Sequence, residues 1–355
     1  MKLSISNSLP VPESGTVRIY RRGNLAKILN IHHLFLIVLI LTLAISCQPE
    51  LPGETENVVP EHARALAELN DYFTFLIASD LGRNGYYDQK PVAEMMGAVV
   101  AIVDAEFVAA VGDIHHFLGV QSVQDPLWQT NYEWIYKHPE LMMHWYPVLG
   151  NHEYEGNTQA VLDYTAISRR WEMTARYYDM KWQISDNVEV LLLFIDTVPL
   201  IDKYRNNPEE YPDAGKQSME RQLVWIDSTL SASGAKWKIV LGHHPIYAGT
   251  YKADIERTDL QKRLQPLLDK HHVDFVVSGH IHNFQHIRVT GSDIDYLINT
   301  SASQAREVDE RHRIEGQLFT SSDSGFSLCS VKEDELIITL VNKRGAIIYQ
   351  YVRKK

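Results

Sequence analysis

The stretch FVAAVGDIHH, residues 107–116, stays apolar for five residues, turns at a glycine, and then delivers an aspartate and two histidines within four positions. A continuous apolar run of this length reads as a strand buried on both faces, the kind found in parallel sheets covered by helices. An aspartate or a histidine after a strand is common. Three such residues in one tight turn are either a polar loop tip or a site that needs nitrogen and oxygen ligands.

The same pattern recurs along the chain. Apolar runs appear at YFTFLIAS (72–79), WYPVLG (145–150), VEVLLLFID (188–196), WKIVLG (237–242) and VDFVVSG (273–279). Helix-like stretches lie between them at 91–105, 217–230 and 260–271. Strands alternating with helices in this way predict an α/β fold with a largely parallel sheet. The end of the chain differs: FSLCSV, ELIITLV and AIIYQYV read as consecutive short strands of a meander. No internal repeat is visible, and residues 70–355 read as a single domain.

Composition narrows the function classes. The 355 residues are 45% hydrophobic and 22% charged, a globular profile. The formal net charge of −11 argues against nucleic-acid binding, which usually needs a basic stripe. Two cysteines, Cys47 and Cys329, are too few for a disulfide framework or a structural zinc site.

Residues 1–47 read as a leader. Arg18, Arg21, Arg22 and Lys27 precede LFLIVLILTLAIS (34–46), an apolar run short for a bilayer span and suited to a signal sequence. Ala-Ile-Ser-Cys at 44–47 resembles a bacterial lipobox, which implies an exported protein lipid-anchored through Cys47 at the cell envelope. The membrane is then a partner only through this anchor or leader. The 33 residues before the apolar run are more than such a leader normally has. Residues 48–69, rich in Pro and Glu at their start, read as a tether.

The turn after each strand carries the chemistry. YFTFLIAS leads to Asp80, FVAAVG to Asp113, His115 and His116, and WYPVLG to Asn151, His152 and Glu153. WKIVLG leads to His243 and His244, and VDFVVSG to His280 and His282. In open α/β sheets ligands bind beyond the carboxyl ends of the strands. Each motif alone is weak, since Asp80 could cap a helix and GHIHN could be a surface turn. Five strands delivering ligand-type side chains to one edge predict a metal site. Carboxylates, an amide oxygen and imidazoles suit zinc, manganese or iron rather than calcium. So many ligands suit two ions sharing an aspartate.

The order Asp80, Gly112-Asp113, Gly150-Asn151-His152-Glu153, Gly242-His243 and Gly279-His280-Ile281-His282 resembles the calcineurin-like metallophosphoesterases. Within them it is similar to the small purple acid phosphatases of the tartrate-resistant type, a likeness that covers nearly all of residues 72–355. The resemblance implies a β-sandwich of two mixed sheets flanked by helices, in four αββα layers. It also implies two metal ions (Fe, Zn or Mn) sharing Asp113. One would be held by Asp80, Asp113, residue 116 and His282, the other by Asp113, Asn151, His243 and His280. His152 would be the catalytic residue, hydrogen-bonding the phosphate or a leaving oxygen. The implied reaction is hydrolysis of a small phosphomonoester by a metal-bound hydroxide, without a phosphoenzyme.

Two departures matter. The family pattern GDxxY places a tyrosinate on ferric iron, the source of the purple colour, whereas this chain has GDIHH. His116 is expected to supply that ligand, the protein is expected not to be purple, and a divalent pair becomes the better fit for a neutral imidazole. His115 is expected near the site without coordinating, or exposed. The stretch YAGTYKADIE (247–256) lacks the histidine the family often has there, which leaves His152 and Lys252 as candidates for the leaving-group acid. A phosphodiesterase or nucleotidase would use the same metals, and a non-catalytic surface binding protein is the rival from another class. Residues 201–216 read as a long polar insertion, a lid or a plain surface loop. Trp128, Tyr132, Trp134 and Tyr136 read as packing aromatics, and Arg169 and Arg170 as surface charges.

Overall fold

A computed structural model describes residues 59–355 and the backbone of 14–20. The strands are β1 Ser14–Tyr20, β2 Phe73–Ala78, β3 Val108–Val111, β4 Trp145–Val148, β5 Tyr177–Ser185, β6 Val188–Phe194 and β7 Trp237–Leu241. They continue with β8 Phe275–Ser278, β9 Phe284–Ile287, β10 Asp295–Ile298, β11 Gln317–Ser321, β12 Gly325–Val331, β13 Glu335–Asn342 and β14 Ile347–Lys354. One sheet has the order β1-β5-β6-β7-β8-β10-β9-β11 and the other β14-β13-β12-β2-β3-β4. Both are mixed. β6, β7, β8 and β10 run parallel in one, β2, β3 and β4 in the other, with antiparallel strands at the margins. This is the flanked double sheet expected from the resemblance.

The strands read as apolar runs are buried along all or nearly all of their length. β2, β3, β4 and β8 have no exposed position, because one face meets the other sheet and the other meets helices. Between the sheets Phe75 stacks on Phe107 at 4.8 Å, Tyr146 meets Phe107 edge-on, and Trp182 of β5 reaches Phe73 at 4.9 Å. Each such ring contributes roughly 1.5–3 kcal/mol of burial. The tail meander is present as β12, β13 and β14. β5 and β9 to β11 carry Asp, Lys, Gln and His among their apolar residues, so no continuous run announces them.

The long helix Gln89–Val103 buries Val92, Met96, Val99 and Val103 at helical spacing and ends where Asp104 turns left-handed at φ 49°. The helix Met219–Ala232 is capped by the Ser218 side chain, which accepts from the Arg221 amide at 3.2 Å. The single helix expected over 260–271 is instead two, Ile255–Arg263 and Gln265–Lys270. Pro266 starts the second and cannot extend the first.

Other expectations shift with the structure. Residues 201–216 are neither lid nor plain loop, since Ile201, Tyr204, Tyr211 and Ala214 are buried in the core. Trp128, Tyr132 and Tyr136 are buried as expected, but Trp134 is 64% exposed because it faces outward from the turn that buries its neighbours. Arg170 is not a surface charge. It lies over the Tyr132 ring and pairs with Glu133 at 2.9 Å. Leu66 and Leu69 are buried, so packed structure reaches into the stretch read as tether. The backbone of 14–20 runs parallel to β5 at the sheet edge. The apolar run 34–46, Cys47 and residues 48–58 lie outside the described residues. Among the described residues no helix is long and apolar enough to cross a membrane.

Candidate metal centre

The parallel strands of both sheets end at one edge, and each hands its next residues to a common point. Asp80 follows β2, Asp113 follows β3, Asn151 follows β4, His243 follows β7, and His280 and His282 follow β8. Four of these, Asp80, Asp113, His280 and His282, have φ between 52° and 69°, the left-handed region that non-glycine residues rarely occupy. Such strain collects where side-chain placement matters more than local stability. The glycines of the motifs make room for the ligands. A Cβ at Gly150 would lie 2.2 Å from Asp113 Oδ1, and one at Gly112, itself at φ +86°, would lie 2.5 Å from His243 Nδ1.

The imidazoles are locked in orientation and tautomer. His116 Nδ1 donates to the Gly82 carbonyl at 3.1 Å, His243 Nδ1 to Val111 O at 2.9 Å, and His282 Nδ1 to Gln304 O at 2.7 Å. A carbonyl only accepts, so each of these nitrogens carries the proton and the opposite Nε2 presents a lone pair. His280 is turned the other way: its Nε2 lies 3.0 Å from Glu256 and 2.9 Å from Lys252 Nζ, and its Nδ1 faces inward.

The inward atoms crowd together. His282 Nε2 is 3.0 Å from Asp80 Oδ1, and His243 Nε2 is 3.1 Å from Asp113 Oδ2. His116 Nε2 is 3.6 Å from Asp113 Oδ2, and His280 Nδ1 is 3.3 Å from His243 Nε2. Each of these close pairs needs a positive charge between its atoms, either a proton, as on the His243 that faces Asp113, or a metal ion. The buried Asp80 Oδ1, His116 Nε2 and Asn151 Oδ1 have no hydrogen-bond partner, as atoms reserved for an ion would not. Asp80, His116 and His282 present ligand atoms within 4.8 Å of one another, as do Asp113, His116 and His152, and Asp80, Asp113 and His243. Asp113 thus stands between two groups, and the donor set fits two ions of the zinc, manganese or iron kind.

Electrostatics follow from burial and these contacts. Burial disfavours a charged His243, yet the adjacent Asp113 carboxylate lifts its pKa to about 9. His152 behaves alike: against burial, Asp113 and Glu155 raise it to about 9. Burial lowers His116 well below its ordinary value and, with Lys252 nearby, takes His280 to about 3. Both aspartates stay ionised despite burial because the histidines face them.

Sequence reasoning assigned no role to two supports. Glu153, fully buried, accepts from the amides of Asp113, Ile114, His115 and Gly150 at 2.8–3.0 Å, fixing the GDIHH turn to the GNHE turn. Only its place in the GNHE motif could have marked it. Glu256 lies 3.0 Å from His280 Nε2 and accepts from Lys203 and Tyr204, both at 2.7 Å, so the 201–216 segment helps orient His280. His244 is close by, but hydroxyls of Thr197 and Tyr204 engage both its nitrogens. His115 is buried against Trp128 at 4.4 Å and is not exposed.

The fold and the paired ligand groups define a calcineurin-like phosphoesterase, and the model of that family matches residues 73–284. Purple acid phosphatase 3 of Arabidopsis thaliana is 34% identical over 289 residues, 78% of this chain and 76% of the relative. Purple acid phosphatase 4 of the same plant is 32% identical over 325 residues, 90% and 93% of the two chains. The structure of GAP50, the anchor in the inner membrane complex of Plasmodium, shares the fold with a TM-score of 0.68 at 24% identity, covering 79% of this chain and 88% of that one. The chain belongs to the purple acid phosphatases, metal-dependent hydrolases of phosphoric monoesters.

Proposed function

We propose that this protein hydrolyses small phosphomonoesters with a pair of divalent ions, one held by Asp80, Asp113, His116 and His282 and the other by Asp113, Asn151, His243 and His280. The observation that carries this reading is the convergence of inward imidazole nitrogens on Asp113 together with the partnerless Asp80 Oδ1, His116 Nε2 and Asn151 Oδ1. When bound, such a pair activates water and neutralises charge on the phosphate oxygens.

The protein's own residues do the rest. Asp113 joins the two groups, and Glu153 holds its turn. His152 is fixed at Nδ1 by the Phe117 carbonyl at 3.1 Å and Glu155 at 2.8 Å, with Nε2 aimed toward Asp113 Oδ2 at 3.9 Å. From there it can donate to a phosphoryl or leaving-group oxygen. Lys252, with Nζ 2.8 Å from the His280 carbonyl, is the other group able to deliver a proton. His116 takes the place of the family's tyrosine, and a neutral ligand there favours a divalent over a ferric ion.

The lipobox-like 44–47 supports export with Cys47 as a lipid anchor, and intact mass of the mature protein decides it. A lipidated Cys47 at the N-terminus is expected, and a chain that retains residues 14–20 would refute it.

The central experiment is metal content by elemental mass spectrometry, paired with turnover of 4-nitrophenyl phosphate and its bis-ester. About two ions per chain, with the monoester preferred and both metal and activity lost in Asp113→Asn, are expected. Less than half an equivalent after soaking with zinc, manganese or iron would sink the enzyme reading, and a preference for the diester would make it a phosphodiesterase.

A further inference from the structure

Three cations stand at the rim of the centre without a carboxylate of their own. Arg83, three residues after Asp80, is only 8% exposed, its Nε has no partner, and its guanidinium lies 5.0 Å above the Phe117 ring, next to His116. Arg306 is tied by its amide to the His282 carbonyl at 2.6 Å. Lys252 is tied by Nζ to the His280 carbonyl. Arg83 thus lies on the loop after β2, Lys252 on the loop after β7 and Arg306 on the loop after β10, the last two tied to the His280–His282 turn. His282, whose carbonyl holds Arg306, is two residues from the His280 that holds Lys252 and has its ring 5.7 Å from that of His116, beside Arg83, so the three border one centre. Among the described residues no carboxylate forms an ion pair with any of them. Of the acids at the centre, Asp80 and Asp113 already face histidines, and Glu256 is taken by Lys203, Tyr204 and His280.

Gathering like charges and burying one of them is costly without an anion to receive them. The scissile phosphate does not account for all three. Two divalent ions beside Asp80 and Asp113 are already balanced by one phosphate dianion. A generally basic surface does not account for them either, since the chain is acidic overall at −11.

We propose that Arg83, Lys252 and Arg306 form a clamp for a second anionic group, so that the preferred substrates are phosphomonoesters bearing an additional carboxylate or phosphate. This rests on the phosphomonoesterase reading for the scissile group. Arg83 and Arg306 offer planar, paired donors suited to a carboxylate or phosphate, and Lys252 a point charge on the His280 side.

The test is equilibrium binding, by calorimetry, of two unhydrolysable phosphonates to the metal-loaded protein. 4-Phosphonobutanoate and butylphosphonate share a four-carbon chain and a C–P bond, and differ by one terminal carboxylate. The acid is expected to bind at least about tenfold more tightly, the worth of one charge-assisted contact. Arg83→Gln and Arg306→Gln should each cut that ratio to about threefold or less. Arg306 is half-buried on a loop, so its variant remains informative if Arg83→Gln folds poorly. Equal affinities in the wild type, no binding of either compound, or a ratio unchanged in Arg306→Gln would overturn the clamp. Turnover of 4-nitrophenyl phosphate reports separately on the hydrolase. Activity with no binding preference refutes the clamp alone, and a preference without activity refutes the hydrolase alone.

Discussion

Removing the Glu153 carboxylate tests whether the metal centre is held by backbone bracing. Its two oxygens satisfy four buried amides: Oε1 takes Ile114 and His115, and Oε2 takes Asp113 and Gly150. In Glu153→Gln one oxygen remains an acceptor and the other becomes an NH2 that faces two N–H donors. Two buried amides then lose their partner, at about 1–3 kcal/mol each, so the variant should be destabilised by about 2–6 kcal/mol. Glu153→Ala orphans all four amides and should cost more, a large share of the roughly 5–15 kcal/mol typical of a folded domain. Because the bonds fix the turn bearing Asp113 and His116, metal retention should fall with stability. Urea denaturation of the metal-free proteins isolates the bracing, and elemental analysis after dialysis reads the metal. If Glu153→Gln unfolds within about 0.5 kcal/mol of wild type, the turn is held by something else and the reasoning fails.

Three further outcomes are expected. Glu256→Gln removes the charge that orients His280, so affinity at one metal site should drop about 10- to 100-fold while the other is unchanged; a metal titration with both sites unaffected would dismiss the role. Asp196 is buried, and against the pull of Arg176 and Tyr154 its carboxyl is pushed up to about 7, above its unfolded value. The folded state therefore holds a proton that the unfolded state releases, and stability falls as pH rises from about 4 to about 7, by on the order of 4 kcal/mol. Asp196→Asn should flatten that slope, and parallel wild-type and variant curves would contradict it. Loaded with ferric iron, His116→Tyr should gain a visible absorption band that the wild type lacks; confirmed iron binding without colour would take residue 116 out of the coordination sphere.

The sequence by itself determined the α/β class, the strands that end at the site and the ligand candidates, because each is a local signal. The parallel strands that end at the site are near-continuous apolar runs, and the glycine-bounded turns after them carry the polar residues. Asp80, Asp113, Asn151, His243, His280 and His282 were legible for that reason, and His116 through its spacing from Asp113. Only the tertiary structure decided what depends on distant segments meeting. β5 and β9 to β11 carry polar residues among their apolar ones and lack a run to betray them. The 201–216 segment reads as a polar loop, yet it supplies Tyr204 and Lys203 to Glu256. Glu153 and the uncompensated Arg83 and Arg306 look like ordinary charges until the fold shows which amides the one receives and which carboxylates the others lack. A side chain's partners are set by packing across the two sheets, and that information is absent from any window of sequence.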